Sequence, residues 1–145
     1  MFNYYFDANR EGHDDVVRLF EAIKAGTYEG YASTLVTDEL KRAPEPKRGD
    51  MLELTDRYGI VILDPVPEVA RLARLYIENG IIPSSHLMDS SHIAITAVGK
   101  LDCVVSYNFH HINRSKTKNL TTVINQDNGY KAVTICTAGE VLDNE

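Results

Sequence analysis

Only two of the 145 residues are cysteine, and each sits in a β-branched run, Cys103 before Val104 and Val105 and Cys136 after Val133, Thr134 and Ile135. That usage reads as two reduced, buried strand thiols and excludes a disulfide framework or a paired-cysteine metal site. Histidine does not replace it, because His110 and His111 are adjacent rather than at the spacings of zinc ligands and read as loop residues. Excess positive charge is missing too. With 15 Lys and Arg against 21 Asp and Glu the net charge is −6, the opposite of a chain that grips nucleic acid over its whole surface. The positive charge is local, in Lys41, Arg42, Lys47 and Arg48 and in Arg114, Lys116 and Lys118. No apolar run approaches the ~20 residues of a membrane span. The opening MFNYYFDANRE has neither the basic region nor the apolar stretch of a secretory signal. A cytoplasmic protein without membrane association is expected, and neither an internal repeat nor a low-complexity stretch is found.

What is present is 43% hydrophobic content over a usual one-domain length, enough for a core and read as a single domain over 1–145. Apolar β-rich runs alternate with segments of helical period, the pattern of βαβ units around a mostly parallel sheet. Strands are expected at Asn3 to Phe6, Tyr28 to Ser33, Ile60 to Leu63, Cys103 to Tyr107 and Val133 to Cys136. Helices are expected between them. Val16, Phe20 and Ile23 mark one that Gly26 ends; Leu35, Val36 and Leu40 mark one stopped by Pro44 and Pro46; Met51, Leu54 and Tyr58 mark one ending at Gly59. Pro65 and Pro67 open a helix that runs to Gly80, and Ser90 to Val98 is closed by Gly99. The stretch from His110 to Tyr130 is read as a helix and as the lip of a substrate groove. Thr137 with Glu140 forms a capping box for a last helix.

The polar residues at these junctions carry the chemistry. Asp7 closes the first apolar run, Glu39 falls in a helix, Asp89 opens another, and Asn108 follows the run Cys103 to Tyr107. Parallel α/β sheets gather their functional groups at the carboxyl ends of their strands. Carboxylates collected in a partly buried pocket raise one another's pKa unless a cation neutralises them, and Mg²⁺ or Mn²⁺ takes such hard oxygen ligands. The structural alternatives are a helix N-terminal acid for Asp89 and a solvated helix residue for Glu39. Asp38 competes with Glu39, but Glu39 falls one turn after Leu35 on the semi-buried face. Asp102 lies ~20 Å along the strand from Asn108 and reads as structural.

Four strings together resemble the PIN-domain ribonucleases, in particular the VapC-like toxins. They are YFDAN, Ser33 with Glu39 six residues later, DSSHIAITA and DCVVSYNFHHI, in that order, and the resemblance covers nearly the whole chain. It implies a three-layer α/β/α fold and a metal-dependent endoribonuclease that hydrolyses RNA phosphodiester bonds. By matched position, Asp7, Glu39 and Asp89 would be catalytic and would bind Mg²⁺ or Mn²⁺ with Asn108. Asn9 would hold Asp7 or a metal-bound water, and Ser33, Ser106 and His92 would support the site. Arg114, Lys116 and Lys118 would hold RNA. As a toxin the chain would form a homodimer and meet a small antitoxin. Many family members carry Asp where this chain has Asn108, so metal binding and activity are expected to be reduced; the alternative is a catalytically weakened module that binds RNA or a protein. A phosphoaspartyl receiver or phosphatase is excluded because Asp7-Ala8-Asn9 supplies neither an acidic pair nor D-x-D.

Overall fold

The computed structural model describes residues 5–107 and 114–143. Among the described residues it is a mixed α/β structure with seven helices besides the helical pair Tyr5 and Phe6, with short parallel strand pairs, and the chain forms two compact units.

The first unit comprises residues 1–64 and 138–145. Its elements are α1 (His13–Lys24), β1 (Tyr31–Ser33), α2 (Thr34–Lys41), α3 (Lys47–Arg57), β2 (Val61–Leu63) and α7 (Ala138–Asp143). Helix α1 buries Val16, Leu19 and Phe20, the i, i+3, i+4 stripe of an amphipathic helix, and α7 packs on α1. The Tyr28 hydroxyl donates to the Val141 carbonyl at 3.2 Å and fastens that return. Strands β1 and β2 pair in parallel, Tyr31 with Val61 through Ser33 with Leu63. Tyr5, Phe20 and Tyr58 meet edge-on or tilted, with ring centroids 5.1 to 5.8 Å apart. Tyr58 donates to Glu21 Oε1 at 3.0 Å and pairs with the Tyr5 hydroxyl at 2.7 Å. Burial, helped by these two contacts, holds the Tyr58 hydroxyl protonated well above its ordinary range.

The second unit, residues 65–137, holds α4 (Pro67–Glu78), a 3₁₀ turn (Ser84–His86), α5 (Leu87–Val98), β3 (Cys103–Val105), α6 (Ser115–Asp127) and β4 (Thr134–Cys136). Helix α5 is buried nearly all round, from Ser90 and Ser91 to Ala97, which is how a helix inside a core reads. It lies against α4, whose Val69, Leu72, Ala73 and Tyr76 face inward. Strands β3 and β4 pair in parallel, Cys103 with Thr134 through Val105 with Cys136. Helix α6 buries Thr117, Thr121 and Asn125 and packs on α4, where the Tyr76 hydroxyl donates to Asn125 Oδ1.

The helices stand where proline and glycine punctuation put them, while the strands are shorter than expected, three residues each. The expected first strand is corrected: Tyr5 and Phe6 are helical, and Asn3 and Tyr4 lie outside the described residues. Tyr5 is held by side-chain packing on Phe20 and Tyr58. The described strands form two separate two-stranded parallel pairs, one in each unit.

Helix α5 ends in a Schellman arrangement. Gly99 is the C-cap, Lys100 donates to Ala97 O at 3.2 Å and Leu101 to Thr96 O at 3.0 Å. The left-handed position falls on Lys100, at φ 57, while a Cβ on Gly99 would stand 2.9 Å from the Ile95 carbonyl oxygen. Lys100→Gly is therefore expected to stabilise the protein by roughly 0.5–1 kcal/mol, as a side chain leaves a left-handed backbone. Gly99→Ala is expected to destabilise it by about 1 kcal/mol through crowding. Urea unfolding of the two variants checks the pair, and a shift of the same sign in both would refute this account.

Candidate functional site

Asp7 follows the helical Tyr5 and Phe6, and the aromatic cluster of the first unit anchors it from two residues away. Its carboxylate forms an Asx turn, with Oδ1 accepting the backbone N–H of Asn9 at 3.2 Å, and Arg10 Nε stands 3.8 Å from Oδ2. The Asp7 side chain is 50% exposed, so the ion pair works in a high dielectric and contributes at most about 1 kcal/mol. Asn9 acts on Asp7 through its main chain. The strand-end setting expected for Asp7 is thereby corrected to a turn after a helical segment.

Ser33 ends β1 and is the N-cap of α2, so it stands at the carboxyl edge of the β1–β2 pair. Its side chain is buried yet makes no cap bond, and Oγ has no hydrogen-bond partner among the described residues. A buried hydroxyl left unsatisfied costs on the order of 1–3 kcal/mol. Glu39, six residues on, is exposed, and α2 buries no side chain at all. The semi-buried face expected for Glu39 is corrected: Leu35 is half-buried, but the Glu39 carboxylate is in solvent beside the equally exposed Asp38.

In the second unit Asp89 is the third residue of α5, inside the first turn, where the free N–H groups favour a carboxylate. Its side chain is 23% exposed, and His86 Nδ1 stands 3.5 Å from Oδ2. The sequence singled out His92 for this face and missed His86. A signal existed, since His86 precedes Asp89 by three residues across a helix start. His92 is half-buried, and its carbonyl accepts from Thr96 Oγ1 at 2.8 Å. Strand β3 follows α5 after residues 99–102 and packs on it.

Ser106, just past β3, is half-buried and donates its N–H to the Cys136 carbonyl at 2.9 Å. Asn108 lies outside the described residues, as do His110 and His111. Asp102 precedes β3 at its other end, fully exposed, with Lys131 Nζ 3.8 Å away. Arg114 is the N-cap of α6, with Lys116 exposed and Lys118 half-buried in its first turns.

Every proposed ligand offers oxygen, a donor set that suits hard cations such as Mg²⁺ or Mn²⁺. Within either unit, no group of three or more His, Cys, Asp or Glu side chains among the described residues is placed to hold a metal ion. No family model, no curated protein and no solved structure matches the chain.

The cysteines are both free, but only Cys136 is buried. The expected burial of Cys103 is corrected, because all three residues of the short β3 remain half-exposed. Cys103 and Cys136 share a face of the β3–β4 pair, two positions apart in register. A hydrogen bond from Cys136 lowers the Cys103 thiol to about 7, against the opposing effects of burial and Asp102. Below that pH the thiol dominates and above it the thiolate, which is the nucleophile. The rate at which Cys103 reacts with iodoacetamide is therefore expected to reach half its maximum near pH 7, and Cys136→Ala should move the midpoint upward. Mass spectrometry of quenched samples measures this, and an unmoved midpoint would contradict the role given to Cys136.

Proposed function

We propose that the chain is a metal-dependent endoribonuclease of three-layer α/β/α, PIN-like architecture, a single functional domain with Asp7, Glu39 and Asp89 as its carboxylate ligands. The observation that carries the reading is the ordered series of four strings along the chain. Asp89 supports it most directly, as a half-buried carboxylate in the first turn of a core helix. Ser33 adds a buried hydroxyl without a structural partner among the described residues, at a strand's carboxyl end. The bound Mg²⁺ or Mn²⁺ would act as Lewis acid toward the phosphodiester and lower the pKa of a water. The chain's own part is to hold that ion through carboxylates, with the neutral carbonyl of Asn108 as the fourth ligand. Arg114, Lys116 and Lys118 hold the RNA backbone, a local attraction needed on a chain of net charge −6. The toxin form of the reading adds a homodimer and a small antitoxin as partners.

A second reading is a PIN-like module with weakened catalysis that binds RNA or a protein. Two observations favour it: Asn108 stands where a charge is usual in the resembled family, and the Asp7 carboxylate is already engaged by Asn9 and Arg10.

Cleavage of a labelled single-stranded RNA separates the two. On the nuclease reading it requires Mg²⁺ or Mn²⁺, stops with EDTA, and falls at least about a hundredfold in Asp89→Asn and Asp7→Asn, as expected when a group acting directly on the reaction is lost. Asp7→Asn should change stability by no more than about 1 kcal/mol, since its ion pair is exposed. Cleavage that persists in EDTA rules out the metal mechanism. RNA binding without cleavage favours the second reading.

Asn108→Asp restores a charge at the neutral position and is expected to tighten Mn²⁺ binding and raise the rate. Asp102→Asn, at the far end of β3, should do neither. Calorimetric titration of both variants gives the comparison, and a larger loss from Asp102→Asn than gain from Asn108→Asp would show that the fourth ligand is misassigned.

A further inference from the structure

Helix α6 turns polar residues inward and leaves apolar ones in solvent, the reverse of an ordinary amphipathic helix. It buries Thr117, Thr121 and Asn125, each at most 5% exposed, at the i, i+4, i+8 repeat. Leu120 and Val123 instead stand 36% and 51% exposed. They are the centre of a longer stripe. Lys116, Leu120, Val123 and Asp127 recur at i, i+4, i+7 and i+11, the heptad spacing that keeps residues on one face of a helix, and all four are exposed. The flanking Asn119 and Gln126 are exposed and uncharged.

The two charges of the stripe are placed against their own helix. Lys116 lies in the first turn, where free N–H groups favour an acid, and Asp127 is the last residue, where free carbonyls favour a base. Neither side chain has an ion-pair partner among the described residues. An antiparallel copy of the same helix reverses both effects, setting Lys116 at the partner's C-terminal turn and Asp127 at its N-terminal turn. The charges then meet in opposite pairs, because Leu120 and Val123 lie equally far from the midpoint of the stripe, as do Lys116 and Asp127. A parallel copy would set lysine against lysine and aspartate against aspartate.

We propose that this face of α6 docks on the same face of a second copy of the chain, with the two helices antiparallel about a twofold axis that passes between Leu120 and Val123. Lys116 pairs with the partner's Asp127 and Asp127 with the partner's Lys116, while Leu120 packs on the partner's Val123 and the apolar pair leaves solvent. A single helix face falls short of the ~1,200–2,000 Å² of a stable interface, so the association is weak and reversible. The inference goes beyond the nuclease reading and holds whether or not the chain cleaves RNA. Of the cations given to RNA it takes Lys116 for the partner copy and leaves Arg114 and Lys118.

The test is sedimentation equilibrium of the full chain from about 5 to about 500 µM, a range suited to a weak dimer, with circular dichroism melts of each variant at the lowest concentration. Wild type is expected to be monomeric at the low end and to dimerise toward the high end, less so in about 1 M salt. Lys116→Asp and Asp127→Lys each turn both pairs into like charges and should weaken dimerisation at least about tenfold. Neither should lower the melting temperature, since each new charge accords with the dipole of its own helix. The two single variants mixed together, or the double variant alone, bring opposite charges face to face again, and dimerisation should return to within about fivefold of wild type. Val123→Asp should abolish it. A wild type that stays monomeric throughout, or a dimer that survives Val123→Asp, would overturn the proposal. So would single reversals that leave dimerisation unchanged or that the mixture does not rescue.

Discussion

No side-chain bulk separates Ser90 from Ala73. The hydroxyl of one reaches the main-chain carbonyl of the other at 2.7 Å, with Ala94 and Ala97 following on α5 at the helical repeat. Small residues at i, i+4 and i+7 let two helices approach until such a bond forms, and interior packing density then leaves little freedom for either to shift. The second unit depends on that approach. It sets α5 against α4 and fixes where the first turn of α5, with Asp89 in it, emerges.

The first unit solves the same problem with aromatic rings. Tyr5 meets Phe20 and Tyr58 edge to face, and the two tyrosine hydroxyls run from Tyr5 through Tyr58 to Glu21, so the part-buried polar tips are satisfied while the rings pack together. Asp7 inherits its place from this cluster, although its own side chain stays in solvent. A carboxylate can thus be placed by the core without being part of it, which separates the stability of the fold from the chemistry of the group.

Two buried polar atoms among the described residues lack partners, Ser33 Oγ and Asn125 Nδ2. They differ in setting. Asn125 accepts the Tyr76 hydroxyl through Oδ1 and joins α6 to α4, so half of its amide is explained by packing. Ser33 has no such use, and it sits at the end of a parallel strand and the start of a helix, a place where α/β proteins put reactive groups. In the first unit it is the side chain whose cost is least explained by the fold.

The positions of the helices were legible in the chain because their signals are local: Gly26, Gly59, Gly80 and the prolines at 44, 46, 65 and 67 act through their own backbone angles, and apolar spacing does the rest. The parallel sense of the strand pairs was legible from the alternation of strand and helix. Tyr5 and Phe6 were misread as strand because an apolar aromatic run has no period of its own over so few residues, and contact with Phe20 and Tyr58 decides its conformation. The identity of the acidic residues and their order along the chain belong to the sequence alone. That the Glu39 carboxylate lies in solvent, that Cys103 is half-open, that Ser33 is buried without a partner among the described residues and that His86 faces Asp89 were decided by tertiary structure. Burial and side-chain pairing depend on residues brought together from distant parts of the chain, and no local pattern encodes which of them will meet.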